Sequence, residues 1–508
     1  MISFPWSAIL AFVYIYALVL TYSLSQTHPG LKRLYSGKAC AITIAVATVM
    51  AVIYGFIGFH RSPLYYIVML AMLSSMGLRL IDDLWHIKQR KPAMTLAHLS
   101  VSIALFAGLF GSGDKRSANL EAHIGEPVSQ ALGSSGKTVR LPFTLTLDSF
   151  TIDQYPAKLM ISGEGADDWN LTVLESYDMA MPAGEGFREL KHTGAEPAAF
   201  VRAENAAAGK SVEGWVSCGS FMFDAVSLPL PDGREVYMPR PMPKKYESKV
   251  RAVDDKGREY HFEIAVNHPV RIGKWRIYQA DYDSSRGRWS TLSVFQCVYD
   301  PWYPIIAAGL WMVLAAALLM FATEGIGAFL AFLRRRRLPS TLLSASCAAV
   351  LLAFIGLLWN SFHGRTLMPA LQSPWFVPHV AVYMFAYAIL GAVTLYAAYL
   401  WVRERRKPAA GEEMRRCDIL VRVGWAFLSL GMVMGALWAK QAWGDWWSWD
   451  PKETWALATW LGYLFYMHAR PRARSMYALL IVCFLMLCMC WLGVNYLPSA
   501  KALSIHVY

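Results

Sequence analysis

The sequence is short of charge. Asp, Glu, Lys and Arg make up only 17% of its 508 residues, while 56% are hydrophobic, a balance that excludes an ordinary soluble globular chain. It has no Gly-rich loop of the kind that cradles phosphates. Its net charge of +12 has a topological explanation given below, so no nucleic-acid partner is expected. No Cys-x-x-Cys-His occurs, which rules out c-type haem attachment to the chain itself, and no paired-thiol redox motif is present. The opening MISFPW has no basic region before its apolar run, so the first segment is expected to be retained rather than cleaved. Of the eight cysteines, most lie in or beside apolar runs, where a thiol is usually a small apolar residue. Cys218 and Cys297 fall in a polar stretch; an oxidising compartment would permit a disulfide between them, and two free thiols is the alternative.

Long apolar runs are plentiful. They cover residues 4–24, 40–59, 64–81, 92–111, 301–323, 340–359, 379–402, 418–440, 453–468 and 475–496, each able to approach or span a bilayer core of roughly 30 Å. The stretch 113–300 has no such run and alternates apolar with polar residues, as in TLTLDSFTI, EYHFEIAV and KWRIYQADY. The expected fold is an α-helical polytopic membrane protein of about ten transmembrane helices with one β-rich extracytoplasmic domain. The short loops 25–39, 82–91, 324–339, 403–416 and 469–474 hold 19 Lys and Arg, against 4 in 59–63, 360–378, 441–452 and 497–508. The first set belongs in the cytoplasm, which puts both termini, the β-rich stretch and a Trp-rich loop outside.

The twelve histidines sort by depth. His98 is some six residues into its span and His468 closes a span entered from outside, so both fall in the inner half of the bilayer. An ionisable group at that depth needs a partner, and metal ligation through a neutral imidazole is one. The alternatives are a hydrogen bond to a neighbouring helix for His98, and snorkelling beside Arg470 and Arg472 for His468. His379 heads an outer span and His506 lies in the outer tail, with His363 a rival for either place. Between them runs WGDWWSWDPKETW, residues 443–455. Two imidazoles flanking an aromatic platform suit a porphyrin, although tryptophans also gather at membrane interfaces without any ligand. His28, His60, His86, His123, His192, His261 and His268 read as ordinary solvated or hydrogen-bonded residues.

WGDWWSWDPKETWALATWL resembles the WWD signature of haem-handling membrane proteins, and its DPKETW continuation resembles the CcsA branch of system II cytochrome c synthetases. LQSPWFVPHVAVYMFAYAILG and WLGVNYLPSAKALSIHVY are similar to the segments bearing that family's two external histidines, which map to His379 and His506. WLGYLFYMHAR is similar to the span with its membrane histidine, at His468. VNHPVRIGKWRIYQADYD, the following YDPWYPIIAAGLWMVLAAALLMF and AMTLAHLSVSIALFAGLFG resemble CcsB (ResB), the last with a membrane histidine at His98. The chain thus resembles a natural CcsB–CcsA fusion. The implied organisation is N-terminal helices over 1–112, CcsB-like from about 40; a β-rich CcsB-like domain over 113–300; a last CcsB-like span and linker over 301–339; and a CcsA-like part over 340–508. The CcsB-like part is compact, and the span at 4–24 has no clear counterpart.

The resemblance implies a haem lyase in a bacterial cytoplasmic membrane that exports haem b and joins its vinyl groups to the two thiols of an apocytochrome c Cys-x-x-Cys-His. It implies His379 and His506 as axial ligands of an external site, walled by Trp443, Trp446, Trp447, Trp449 and Trp455, and His98 and His468 as ligands on the way out. Asp450 lies inside the haem-binding signature, yet Asp445 and Asp450 carry the propionates' own sign; followed by Pro451, Asp450 also fits a helix N-cap. The implied partners are apocytochrome c, a thiol-reducing system that serves it, and membrane lipid. Two other classes remain: a bis-histidine haem b protein that moves electrons across the membrane, and a haem exporter without attachment chemistry.

Overall fold

A computed structural model describes residues 3–59, 62–134, 136–163, 168–326, 366–403, 411–469 and 475–498, together with residue 356. Nine of the ten expected spans appear there as helices; the tenth, 340–359, lies outside the described residues. The helices are α1 (Trp6–Thr27), α2 (Gly37–Ile57), α3 (Pro63–Trp85), α4 (Pro92–Gly111), α5 (Tyr303–Met320), α6 (Phe376–Arg403), α7 (Gly411–Trp443), α8 (Pro451–His468) and α9 (Ser475–Trp491). Among the described residues, seven helical segments are long and apolar enough to cross a membrane, and Ser475–Trp491 is a shorter apolar helix. The chain is a multi-pass membrane protein.

Local chemistry sets the helix starts. Ser36 accepts the Ala39 N–H at 3.2 Å to cap α2, Ser62 does the same for Tyr65 on α3, and proline occupies the first turn of α3, α4 and α5. A capping hydroxyl satisfies an N–H that the helix leaves unpaired, and proline there loses no hydrogen bond. Outside the core, large apolar side chains stay exposed on α1, such as Phe12 at 75%, as a lipid-facing surface requires.

The helices pack in an order that departs from the chain order. α2 lies between α3 and α8; α8 packs on α9, α9 on α6, α6 on α7, α7 on α5, α5 on α4, and α4 back on α3, closing a ring. α1 stays outside on α3 and α4. One hydrophobic core runs through the ring and takes residues from both ends of the chain, including Ala47, Met50 and Tyr54 with Trp455, Leu461 and Tyr463.

The β domain leaves α4 and returns to α5. Its main sheet has the order β12 (Glu259–Ala265), β11 (Pro243–Asp254), β3 (Thr138–Gln154), β2 (Pro127–Gly133), β1 (Arg116–His123), β15 (Leu292–Tyr299), β14 (Trp275–Tyr282) and β13 (Val270–Ile272). All pairings in it are antiparallel. Alternation follows the period of a strand: Ala118, Leu120 and Ala122 of β1 point into the core. Across that core Ser248 donates to Gln279 Oε1 at 2.7 Å and meets Ser293 at 2.9 Å, tying β11 to β14 and β15. A four-stranded sheet of β6 (Gly186–Glu189), β5 (Asn170–Ala183), β7 (Glu196–Asn205) and β8 (Lys210–Ser217), and a small one of β4 (Met160–Ile161), β10 (Glu235–Tyr237) and β9 (Leu228–Pro229), complete the domain. Asp114, just after α4, accepts Ser7 Oγ–H and Trp302 Nε1–H, each at 2.7 Å, and so pins α1 and the start of α5 beneath the domain.

Candidate functional site

His379 lies in the first turn of α6. Its Nδ1 is 2.8 Å from the Gly431 carbonyl of α7, and because a carbonyl only accepts, Nδ1 carries the hydrogen and the lone pair is on Nε2. Gly431 and Gly435 stand one helical turn apart on α7, as His379 and Tyr383 do on α6. A Cβ on Gly431 would meet the Tyr383 ring at 2.9 Å, and one on Gly435 would meet His379 Cε1 at 2.8 Å. The two glycines therefore form a shelf for the two rings, a small-xxx-small packing of helices. Trp438 faces the imidazole edge-on at 5.9 Å, anchored by its Nε1–H to the Ala370 carbonyl at 2.9 Å, and Trp443 packs on Trp438 at 5.3 Å.

Beyond Trp443 the backbone turns at Gly444, whose φ is +77°. Glycine fits twice over, since a Cβ there would also meet Tyr278 at 3.0 Å and Val298 at 3.2 Å from the β domain. Burial pushes the Tyr278 hydroxyl up to about 12. Asp445 pairs with Lys115. Trp446 stacks on Tyr303 at 5.1 Å; Trp449, at φ +60°, stacks on Phe59 at 4.1 Å and stands edge-on to Tyr65 at 5.4 Å. Trp447 meets Trp449 edge-on at 6.2 Å. Holding a non-glycine residue at positive φ costs on the order of 1 kcal/mol or more and persists only where packing dictates it.

Asp450 caps α8: its carboxylate accepts the Lys452 N–H at 2.7 Å, and Glu453 closes a capping box by accepting the Asp450 N–H at 3.2 Å. Trp455 is not on the loop. It is 3% exposed, and its indole lies against Gly55 and edge-on to Phe56 of α2 at 5.0 Å. The Nε1–H groups of Trp446, Trp447 and Trp455 are buried with no hydrogen-bond partner among the described residues. Buried donors are almost always paired in native proteins, so the two on the loop, of Trp446 and Trp447, are candidates for an acceptor brought by a ligand, whereas that of Trp455 faces α2.

Lys440 was not singled out from sequence. Its side chain, 5% exposed, reaches Asp300 Oδ2 at 3.3 Å and donates to the Gly444 carbonyl at 2.9 Å. Its ammonium lies 5.5 Å from the Tyr303 ring and 5.4 Å from that of Trp446. A basic residue at the end of an apolar run is the only sequence signal for it. Through this group and Asn267, which donates to the Pro369 carbonyl at 3.0 Å, the β domain, the Trp-rich loop and the start of α6 meet at one end of the helix ring.

At the other end are the two inner histidines. His98 Nδ1 is 2.7 Å from Asp83 Oδ2 on α3, so the hydrogen bond to a neighbouring helix, the alternative to ligation, is made, and it uses Nδ1 and not Nε2. His468 Nδ1 is 2.9 Å from the Leu464 carbonyl of its own helix. Among the described residues no hydrogen bond or ring contact joins His98 to His468. Between their helices stand Trp425 and Ser429 of α7: Trp425 donates to the Trp460 carbonyl at 3.2 Å and Trp460 to Ser429 at 2.8 Å. On the α4 side, Trp425 and Ser429 line a small pocket with Ala97, Val101 and Met320. His506, and its rival His363, lie outside the described residues.

Cys218 and Cys297 are free thiols in two separate cores. Burial pushes Cys218 up to about 11 and Cys297 up to about 12, which keeps both as inert thiols.

Residues 226–296, from β9 into β15, match the ResB-like family. Residues 302–500, beginning at α5, match the cytochrome C assembly protein family. Among similar proteins are the cytochrome c biogenesis protein CcsA of Prochlorococcus marinus (strain MIT 9312), 35% identical over 28% of this chain and 56% of that protein, and that of Chlamydomonas reinhardtii, 35% identical over 30% of this chain and 50% of that protein. The chain spans about half the length of these relatives. One polypeptide thus carries a ResB-like segment followed by a cytochrome C assembly segment, the arrangement of a CcsB–CcsA fusion.

Proposed function

We propose that this chain is a cytochrome c synthetase of a bacterial cytoplasmic membrane, with the β domain and the Trp-rich loop on the outer face. It would take haem b through the helix ring and present it to apocytochrome c. Each of the two thioether bonds forms by adding S–H across a vinyl C=C, sulfur to one carbon and hydrogen to the other, so no net oxidation or reduction is needed. The protein's own work is then orientation rather than nucleophilic attack.

One observation carries the reading: the three described candidate ligands, His98, His379 and His468, all engage Nδ1 with an oxygen. A metal-binding histidine is typically oriented in this way, with Nδ1–H held by a carboxylate or carbonyl and Nε2 left to coordinate. His379 and His506 would hold the iron at the outer site, and His98 and His468 at the inner one. Trp443, which reaches His379 through Trp438, and Trp446, Trp447 and Trp449 further along the loop would supply flat apolar surface, and the indole N–H groups of Trp446 and Trp447 suit propionate oxygens. Asp450 contributes by fixing the start of α8, and Trp455 by setting α8 against α2. Bound haem supplies the electrophilic vinyl groups; the thiols come from the apocytochrome, kept reduced by a separate thiol-reducing system.

The test is co-expression with a reporter that carries Cys-x-x-Cys-His. A synthetase leaves haem on the reporter after acid–acetone extraction. Haem in the membrane protein with none retained by the reporter would mark an electron carrier or an exporter instead.

A further inference from the structure

Asp83 is an acidic residue within an apolar helix, with a side chain only 3% exposed. Its two oxygens are used differently. Oδ2 accepts the Nδ1–H of His98 at 2.7 Å, while Oδ1 lies 3.0 Å from Arg79 Nη2 and 3.1 Å from Arg90 Nε. Arg90 is itself steadied by Asp82, which accepts from its Nη2 at 2.7 Å, and Asp82 also accepts the Tyr22 hydroxyl at 3.3 Å. The guanidinium groups balance the carboxylate's charge and fix its plane, so Oδ2 has one direction in which to point. His98 has no other hydrogen-bond partner among the described residues, and its Nε2 looks away from Asp83 by the geometry of the ring.

We propose that Asp83 is a positioning residue for an inner haem site: it holds His98 in the Nδ1–H tautomer, sets the ring plane, and strengthens Nε2 as a donor to iron. The proposal rests on the reading of His98 as a haem ligand. A carboxylate paired with a ligating imidazole gives it partial imidazolate character and raises its basicity. That favours the ferric state and lowers the reduction potential. A plain structural tie between α3 and α4 would need the contact but not the charge, and the two cases separate on that point.

The experiment uses the full chain purified with its haem in a His379→Ala background, so that the inner site alone is read. Asp83→Asn keeps the side-chain volume and an acceptor for Nδ1–H while removing the charge. Haem content is expected to stay near the parent level while the midpoint potential moves positive, on the order of tenfold in the relative stability of the two oxidation states, which is about 59 mV for one electron. Asp83→Leu removes the acceptor as well and is expected to weaken haem binding roughly 10- to 100-fold. An unchanged potential in Asp83→Asn together with unchanged haem binding in Asp83→Leu overturns the proposal. His98→Ala separates the two ideas: if it loses the inner haem, the ligand reading stands whatever Asp83 does, and if it keeps a normal load, that reading fails and takes the proposal with it.

Discussion

The imidazole of His379 rests on the bare backbone of Gly435, where a Cβ would stand 2.8 Å from Cε1 and 3.1 Å from Nδ1. Contacts that short force the ring to move. Gly435→Ala is therefore expected to tilt His379 away from its Gly431 carbonyl and lower outer-site haem affinity by roughly tenfold, as loss of a ligand's orienting contact does. Gly391→Ala is the control, since a Cβ there meets only Phe484 at 3.4 Å. Equal haem content in the Gly435→Ala and Gly391→Ala proteins would show that the shelf does not position the ligand.

Removing a ligand outright has a different signature. His379→Ala and His506→Ala are each expected to abolish reporter maturation while the protein stays in the membrane. Added imidazole can occupy the vacated iron position and should restore part of the activity. Normal maturation in either variant, with loss in His363→Ala, would reassign the outer ligand.

The tryptophans divide by their neighbours. Trp449 stacks on Phe59 at 4.1 Å and Trp447 leans on Trp449, whereas Trp6 is 66% exposed on α1. Trp447→Ala or Trp449→Ala should reduce co-purified haem or its attachment, and Trp6→Ala should leave both near the parent value. Similar losses at all three positions would point to an interfacial belt.

Glu196, at the start of β7, is 7% exposed, and burial pushes its carboxyl from 4.5 up to about 7 against the opposing pull of Arg288 and Arg240. The folded protein holds this proton more tightly than the unfolded chain. Its contribution to stability is complete below pH 4.5 and is lost as pH rises through about 7. Glu196→Gln, which cannot ionise, should flatten the fall in melting temperature of the detergent-solubilised protein over that interval. An identical pH profile in the variant would mean that Glu196 is already ionised in the fold.

The sequence reading found nine of its ten spans because long apolar runs have few other uses, and the β domain because its strands alternate; the tenth, 340–359, lies outside the described residues. It singled out His98, His379 and His468 as candidates by their depth. It could not find Asp83, which lies fifteen residues before His98 across a turn, so no helical spacing links them. Gly431 and Gly435 look like any small residues until the rings of α6 are laid on them. Trp455 belongs, by sequence, to the same run as Trp449; only the arrival of α2 makes it a helix–helix residue. Lys440 needed Asp300, where the β domain returns to α5, to be understood.

The closed order of the helices also has a mechanical consequence. The N-terminal and C-terminal parts touch along two separate seams, α2 with α8 and α5 with α7. Two bodies joined along one line can swing open like a door. Joined along two, they cannot: parting one seam wedges the other, and only sliding along the membrane normal leaves both in contact. Any rearrangement of this protein would therefore slide its two parts past one another and not open a cleft between them.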